Sequence, residues 1–322
     1  MQIAIQTPPE HVTFPELRDV WQAADELGFR AGFTFDHFVP LNPGSKPLLS
    51  STVEGAQPLP DGPQLEGWTV LTALAALTTN LEVGTLVTGV TYRNPVLLAK
   101  IAVTLDHITG GRAILGLGAA WHEKEHHLYG FDYPGVGERM GRLEEALIIF
   151  DRLCTEERVD FDGQYYQLRE APFDPKPVRP GGIPVLIGGS GPRLKRIVGR
   201  RADIFNSFSA PWEWAEVNAE LDANLAKAGR EPGDLERSAF LFGDLSGDPA
   251  KTDAAVARFA ATRGGTPEEV RRRIIAGTPD EMIAVLKSYE AAGVGFGIIN
   301  LQPPYPLEGL ARFAAEVLPA IS

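Results

Sequence analysis

Three short strings in this chain combine side-chain types and spacings that could do chemistry. Asp36-His37 ends the apolar run Ala31–Phe35 and heads a Pro-, Gly- and Ser-rich stretch from Val39 to Glu66. An imidazole can give or take a proton near neutral pH, and a neighbouring carboxylate can orient it. A turn aspartate beside a packed histidine is the inert alternative. His122-Glu123-Lys124-Glu125-His126 satisfies H-E-x-x-H, which on a helix sets two imidazoles on one face to bind zinc, with the glutamate as base. Glu144 or Glu145 would then be the third ligand. The context opposes this: Gly116-Leu117-Gly118 reads as a strand end, and Tyr129 and Asp132 stand where the longer zinc motif needs Gly and His. We read the string as a polar loop and helix start rimming a pocket, with no metal. Gly188-Gly189-Ser190-Gly191-Pro192 follows an apolar run and opens a helix, with Arg193 and Lys195 close behind. Glycines let backbone amides approach an anion, and a helix N-terminus favours negative charge. A plain tight turn is the alternative there.

These strings sit where the elements place them. Apolar runs near residues 3, 32, 84, 115, 185, 204, 240 and 298 predict eight strands. Between them lie helical patterns at 14–27, 67–77, 95–107, 137–153, 192–201, 212–228, 253–261, 267–276 and 280–292, and another at 307–321 closes the chain. Val159–Leu168 alternates about Asp162-Gly163 and predicts a hairpin. Strands that are continuous apolar runs are buried on both faces. Eight β-then-α units therefore predict an α/β fold, a (β/α)8 TIM barrel spanning 1–322 as one domain. The hairpin and the stretch 39–66, read as a lid or substrate loop, are its insertions. A doubly wound open sheet is the rival, but Thr7-Pro8-Pro9-Glu10 stands where its glycine fingerprint belongs. In a barrel, function gathers at the carboxyl ends of strands. That rule selects Asp36-His37, Leu86-Val87-Thr88-Gly89, Gly118–Glu125, the Gly188–Gly191 turn and Asn300-Leu301-Gln302.

Composition narrows the class. Thirty basic against 42 acidic residues leave a net charge of −12, which repels phosphate backbones and argues against nucleic acid as a partner. One cysteine, Cys154, cannot form an internal disulfide, which suits a reducing cytoplasm. The first residues, MQIAIQTPPE, lack the basic and apolar regions of a signal peptide, and no run is long enough to span a bilayer.

The chain resembles the bacterial-luciferase-like flavin and deazaflavin oxidoreductases. The resemblance rests on an ordered series: Thr104-Leu105-Asp106-His107-Ile108-Thr109-Gly110-Gly111-Arg112, then Leu115–Trp121, Glu125-His126 and Tyr129-Gly130. Glu138-Arg139, Arg142–Glu145, Phe161–Tyr166 and Ile187–Gly191 continue it in order. It absorbs the H-E-x-x-H string as part of a W-x-x-x-E-H segment.

The resemblance implies a barrel, paired as a homodimer, with an isoalloxazine-type ring at the strand carboxyl ends and coenzyme F420, a deazaflavin, as cofactor. It implies a non-proline cis peptide in the bulge after strand three, here Leu86–Val87, with Thr88 beside it. Asp36 and His37 would face the ring, Gly188, Gly189, Ser190 and Gly191 would hold the phosphate of the cofactor tail, and Trp121 would wall the substrate. The expected reaction is hydride transfer between the deazaflavin and a small organic molecule. His37 would be its proton donor or acceptor, oriented by Asp36. Alternatives are an FMN-dependent monooxygenase fed by a separate flavin reductase and, from another class, a zinc hydrolase built on His122 and His126.

Overall fold

The eight apolar runs become parallel strands: β1 Gln2–Gln6, β2 Ala31–Thr34, β3 Glu82–Thr85, β4 Ala113–Gly118, β5 Val185–Gly188, β6 Ile204–Ser207, β7 Glu236–Asp244 and β8 Phe296–Asn300. Each pairs with the next, from Ile5↔Gly32 through Leu186↔Ile204 to Ala239↔Gly297. Pairing of β8 with β1, Gln2↔Phe296 to Gln6↔Asn300, closes the sheet on itself. The fold is a (β/α)8 barrel, and closure rules out the open-sheet rival. The computed structural model describes residues 1–41 and 62–321. Most of the stretch read as a lid, Val39–Glu66, thus lies outside the described residues.

Alternation of side chains along each strand divides the core in two. Ala4, Ala31, Phe33, Ile114, Leu186, Ile204, Phe296 and Ile298 fill the lumen. Their neighbours Ile3, Ile5, Leu115, Leu117, Ile187, Phe205, Leu241 and Ile299 pack outward against the helices. Around the barrel run α1 Phe14–Glu26, α2 Gly67–Ala75, α3 Pro95–Thr109, α4 Glu123–Tyr129, α5 Val136–Thr155, α6 Pro192–Arg201, α7 Trp214–Lys227, α8 Pro249–Arg263, α9 Pro267–Arg271, α10 Pro279–Ala291, α11 Leu307–Glu316 and α12 Leu318–Ile321. Local chemistry explains many starts. Proline fills the first turn of α3, α6, α8, α9 and α10, where its missing N–H costs nothing. The Asn94 side chain caps α3 by accepting from the Val96 amide at 2.9 Å.

Two departures from the predicted elements have physical causes. The hairpin is longer than predicted, Arg158–Asp162 against Gln167–Pro172. Asp162 pairs with Gln167, so the turn holds four residues, 163–166, and the Glu145 carboxylate accepts from the amides of Gln164, Tyr165 and Tyr166 at 2.7, 3.0 and 3.1 Å. The predicted helix 267–276 stops at Arg271, because Ile275–Ala276 adds a short strand beside β7. Strand three ends at Thr85, and Thr88–Gly89 resumes pairing with β4 after a bulge at Leu86–Val87.

That bulge needs glycine beneath it. After Ile114, the next lumen-facing position of β4 is Gly116, where a Cβ would lie 1.7 Å from the Thr85 carbonyl oxygen. The contact is with backbone, so no rotamer relieves it. Gly116→Ala is expected to cost about 3 kcal/mol, at the upper end for overpacking, measured as a shift in the urea midpoint. Wild-type stability would contradict the packing described.

Candidate active site at the carboxyl end of the barrel

The chain leaves β2 through Phe35, Asp36 and His37, and the last two are buried, 1% and 9% exposed. His37 does not turn to its neighbour. Its Nδ1 lies 2.9 Å from Oε2 of Glu125, a fully buried carboxylate on the first turn of α4. The other oxygen of Glu125 accepts from the amides of Phe38 and Val39 at 2.5 and 3.1 Å, and the Tyr92 hydroxyl also donates to Oε2. Burial opposes ionisation of Glu125, but the bonds from His37, Tyr92 and the Phe38 amide outweigh it and hold the carboxyl down at about 2. Glu125 is therefore an anion, and burial together with its bond to Glu125 pushes the Tyr92 phenol up, keeping it a donor.

Asp36 is engaged elsewhere, which corrects the expectation that it orients His37. The Arg93 guanidinium donates to both its oxygens, at 2.5 and 3.2 Å, and reaches Glu66 at 2.5 Å. Burial raises the Asp36 carboxyl above its ordinary value, and Arg93 offsets part of that rise. The spacing of Arg93 before Pro95 gives no hint of this pairing in the sequence.

The bulge after β3 forms the next arc of the rim. Leu86–Val87 is a non-proline cis peptide. Val87 packs over glycines: Cβ atoms at Gly118 and Gly188 would meet its methyls at 2.8 and 3.3 Å. The Leu86 carbonyl accepts from Gln6 Nε2 at 3.2 Å; Gln6 accepts from Asn300 at 2.6 Å, and Asn300 from Gln302 at 2.5 Å. Thr88 accepts from the Trp68 indole at 2.8 Å and lies 3.0 Å from the Thr85 hydroxyl.

Trp121 is 63% exposed, and its ring and that of His122 stand edge-on to His37, at 5.6 and 5.8 Å between centroids. Burial holds the His122 imidazole below its ordinary value despite the nearby Glu125 carboxylate, so it favours the neutral form. The H-E-x-x-H string does not make a zinc pair. His122 is the cap of α4, outside its helical turns, and His126 turns away, its Nδ1 2.8 Å from the His122 carbonyl and its Nε2 2.6 Å from Thr91. Glu144 pairs with Arg200 and Glu145 serves the hairpin. His37, His122 and Glu125 do bring three ligand atoms within 4.8 Å. The Glu125 oxygens, however, already accept four hydrogen bonds.

At β5, Gly189 and Gly191 have φ of +136° and +94°, and the Gly191 cap leaves the first amides of α6 without a side-chain acceptor. The charges expected to reinforce this turn are spent: Lys195 pairs with Glu220, and Arg193 donates to the Gly137 carbonyl at 2.8 Å. Two other cations, missed in the sequence, lie across the rim. The Arg263 guanidinium sits over the rings of Phe208 and Phe242, at 4.7 and 4.9 Å. Arg273 sits over Phe259 at 4.9 Å and donates to the Phe208 carbonyl at 2.6 Å. Among the described residues, no carboxylate pairs with either in an ion pair. Burial first, then repulsion from Arg273, lowers the Arg263 guanidinium.

A barrel whose rim carries a buried acid–base cluster, a cis-peptide bulge and an open glycine turn has the layout of a cofactor-using enzyme. The chain belongs to the luciferase-like monooxygenase family, whose model matches residues 1–264. It is 29% identical to an F420-dependent glucose-6-phosphate dehydrogenase of Intrasporangium calvum, over 95% of this chain and 94% of that protein. A protein of the same description from Microbacterium testaceum is 33% identical over 69% of this chain and 61% of its own length. In fold it resembles an F420-dependent secondary alcohol dehydrogenase solved with an F420-acetone adduct, with a TM-score of 0.84, 20% identity, and coverage of 100% of this chain and 99% of that one.

Replacing Arg93 by methionine strands the Asp36 charge. The expected cost at pH 7 is about 3 kcal/mol, typical of breaking a buried pair. A carboxyl raised on folding is penalised above its folded pKa and relieved below it. The variant should therefore regain stability relative to wild type as pH falls, followed by urea unfolding between neutral and mildly acid pH. A pH-independent deficit would refute the assignment.

Proposed function

We propose that the protein is an oxidoreductase that uses coenzyme F420 to interconvert an alcohol and a carbonyl compound. Support comes from similarity to proteins described as F420-dependent and from a rim whose residues fit such a cofactor. The observation that carries the reading is the buried His37–Glu125 pair at the carboxyl end of the barrel. When bound, the deazaflavin gives or takes a hydride at its C5 carbon. The backbone of Leu86, Val87 and Thr88, with Asp36 and His37, would line the ring's place. The amides of Gly188, Gly189, Ser190 and Gly191 would hold the tail phosphate, an anion suited to a helix start that no side chain caps.

His37 is then the acid–base group. In oxidation it would accept the hydroxyl proton of the substrate, and in reduction it would return a proton to the substrate oxygen. Trp121 walls the substrate. Arg263 and Arg273 favour a substrate with an anionic group, because an unpaired cation near the rim is best satisfied by a carboxylate or phosphate. One barrel domain carries this whole site, in a cytoplasmic protein. Cys154 takes no part, since burial pushes its thiol up to about 12.

We further propose a homodimer through α2 and α3. A groove of about 420 Å³ runs between them, lined by Trp68, Thr72, Ile101 and Leu105, and Leu77, Leu97 and Ile108 are exposed nearby.

Three measurements test this reading. Titration of the purified protein should show tight binding of F420 and none of FMN; the reverse selects the monooxygenase alternative. On a panel of sugar phosphates and secondary alcohols, His37→Ala should lower kcat by about 10²–10⁴-fold at saturating F420, whereas unchanged turnover removes His37 from the chemistry. Leu97→Glu should convert a dimer to a monomer in light scattering; a wild-type monomer would refute the interface.

A further inference from the structure

We propose that Glu125 is the positioning residue for His37: it holds the imidazole with Nδ1–H turned to the carboxylate, so that Nε2 exchanges the proton with the substrate oxygen. This rests on the reading of His37 as the acid–base group. An ionised carboxylate has only acceptors, so the hydrogen in the 2.9 Å contact between Glu125 Oε2 and His37 Nδ1 must sit on the imidazole. The same carboxylate takes the amides of Phe38 and Val39, the two residues after His37, and so fixes the backbone that carries the ring. Asp36, the neighbour in sequence, is held by Arg93 and is not bonded to the imidazole.

The other groups around His37 leave Glu125 as its charge partner. Phe35, Trp121 and His122 stand edge-on to the ring at 5.2, 5.6 and 5.8 Å. His122 Nδ1 is 3.8 Å from the same Glu125 oxygen, is buried, and makes no hydrogen bond among the described residues. The Tyr92 hydroxyl donates to that oxygen and remains protonated. In alcohol oxidation the C–H pair leaves as hydride to F420 and the O–H proton goes to His37 Nε2, leaving a carbonyl. The imidazolium so formed faces a buried anion, where attraction is stronger than in water. Reduction runs the same step backwards.

The test begins with the wild-type enzyme loaded with F420 and carrying ¹⁵N-labelled histidine. Long-range ¹H–¹⁵N spectra, with His37 assigned by its loss in His37→Gln, should show a protonated Nδ1 and an unprotonated Nε2 in the neutral ring. The opposite tautomer overturns the proposal. Glu125→Gln should then lose that tautomer preference and lower kcat by at least about 50-fold on a substrate found in the panel above, with F420 affinity within twofold of wild type. A Glu125→Gln enzyme with wild-type kcat and the wild-type tautomer also overturns it. If Glu125→Gln does not fold, the wild-type spectrum decides. If His37→Ala keeps full turnover, the acid–base reading fails instead, whichever tautomer is seen.

Discussion

A carboxylate can be removed from water only where hydrogen-bond donors replace its hydration, and at Glu125 four donors from two neighbouring rim segments do so. His37, Phe38 and Val39 come from the loop after β2 and Tyr92 from the turn after β3, while Glu125 itself stands on the helix after β4. A parallel barrel sends every strand's carboxyl end to one rim but leaves the loops there independent of one another. The Glu125 cluster removes that independence. It ties three successive segments at one point, and the imidazole is one of the ties, so the geometry of the proposed acid–base group cannot be separated from the folding of the rim.

A second buried carboxylate shows the opposite balance. At Asp36 burial outweighs the pull of Arg93 and its pKa is raised, while at Glu125 the bonds from His37, Tyr92 and the Phe38 amide, with attraction to His37, outweigh burial and the pKa falls to about 2. The donors and attraction available, weighed against burial, decide which acid ends below its ordinary value and which above it. Adjacent along the rim, the two acids thus sit on either side of their ordinary range.

Much of this was legible in the sequence, for reasons of scale. The strands are short apolar runs bounded by turn residues, and helix starts carry proline and capping side chains, so the barrel could be read from local pattern. The positions of His37 and the Gly188–Gly191 turn at strand ends are legible from local pattern, and the bulge from family resemblance. The partner of His37 was not found. Glu125 lies 88 residues away, in a string that invites a zinc reading, and adjacency in sequence favoured Asp36. Arg93 was hidden for the same reason, since its bond to Asp36 spans 57 residues. Arg263 and Arg273 lie in a stretch that reads only as amphipathic helix, and the aromatic seats of Arg263 come from β7 and the loop after β6, while Arg273 sits over Phe259 of α8. Contacts between loops of different units leave no periodic trace.

The row of amides across the lumen, Gln302 to Asn300 to Gln6 to the Leu86 carbonyl, has a direction. A backbone carbonyl cannot donate, so Gln6 must present its NH₂ to Leu86 and its oxygen to Asn300, and Asn300 must in turn present its oxygen to Gln302. The orientation of three freely rotatable side chains is thereby dictated from one end, by a peptide group that has no rotational choice. An ionised acid in place of Gln6, though the same shape, would set acceptor against acceptor at Leu86 and lose that link, while still obliging Asn300 to present its NH₂.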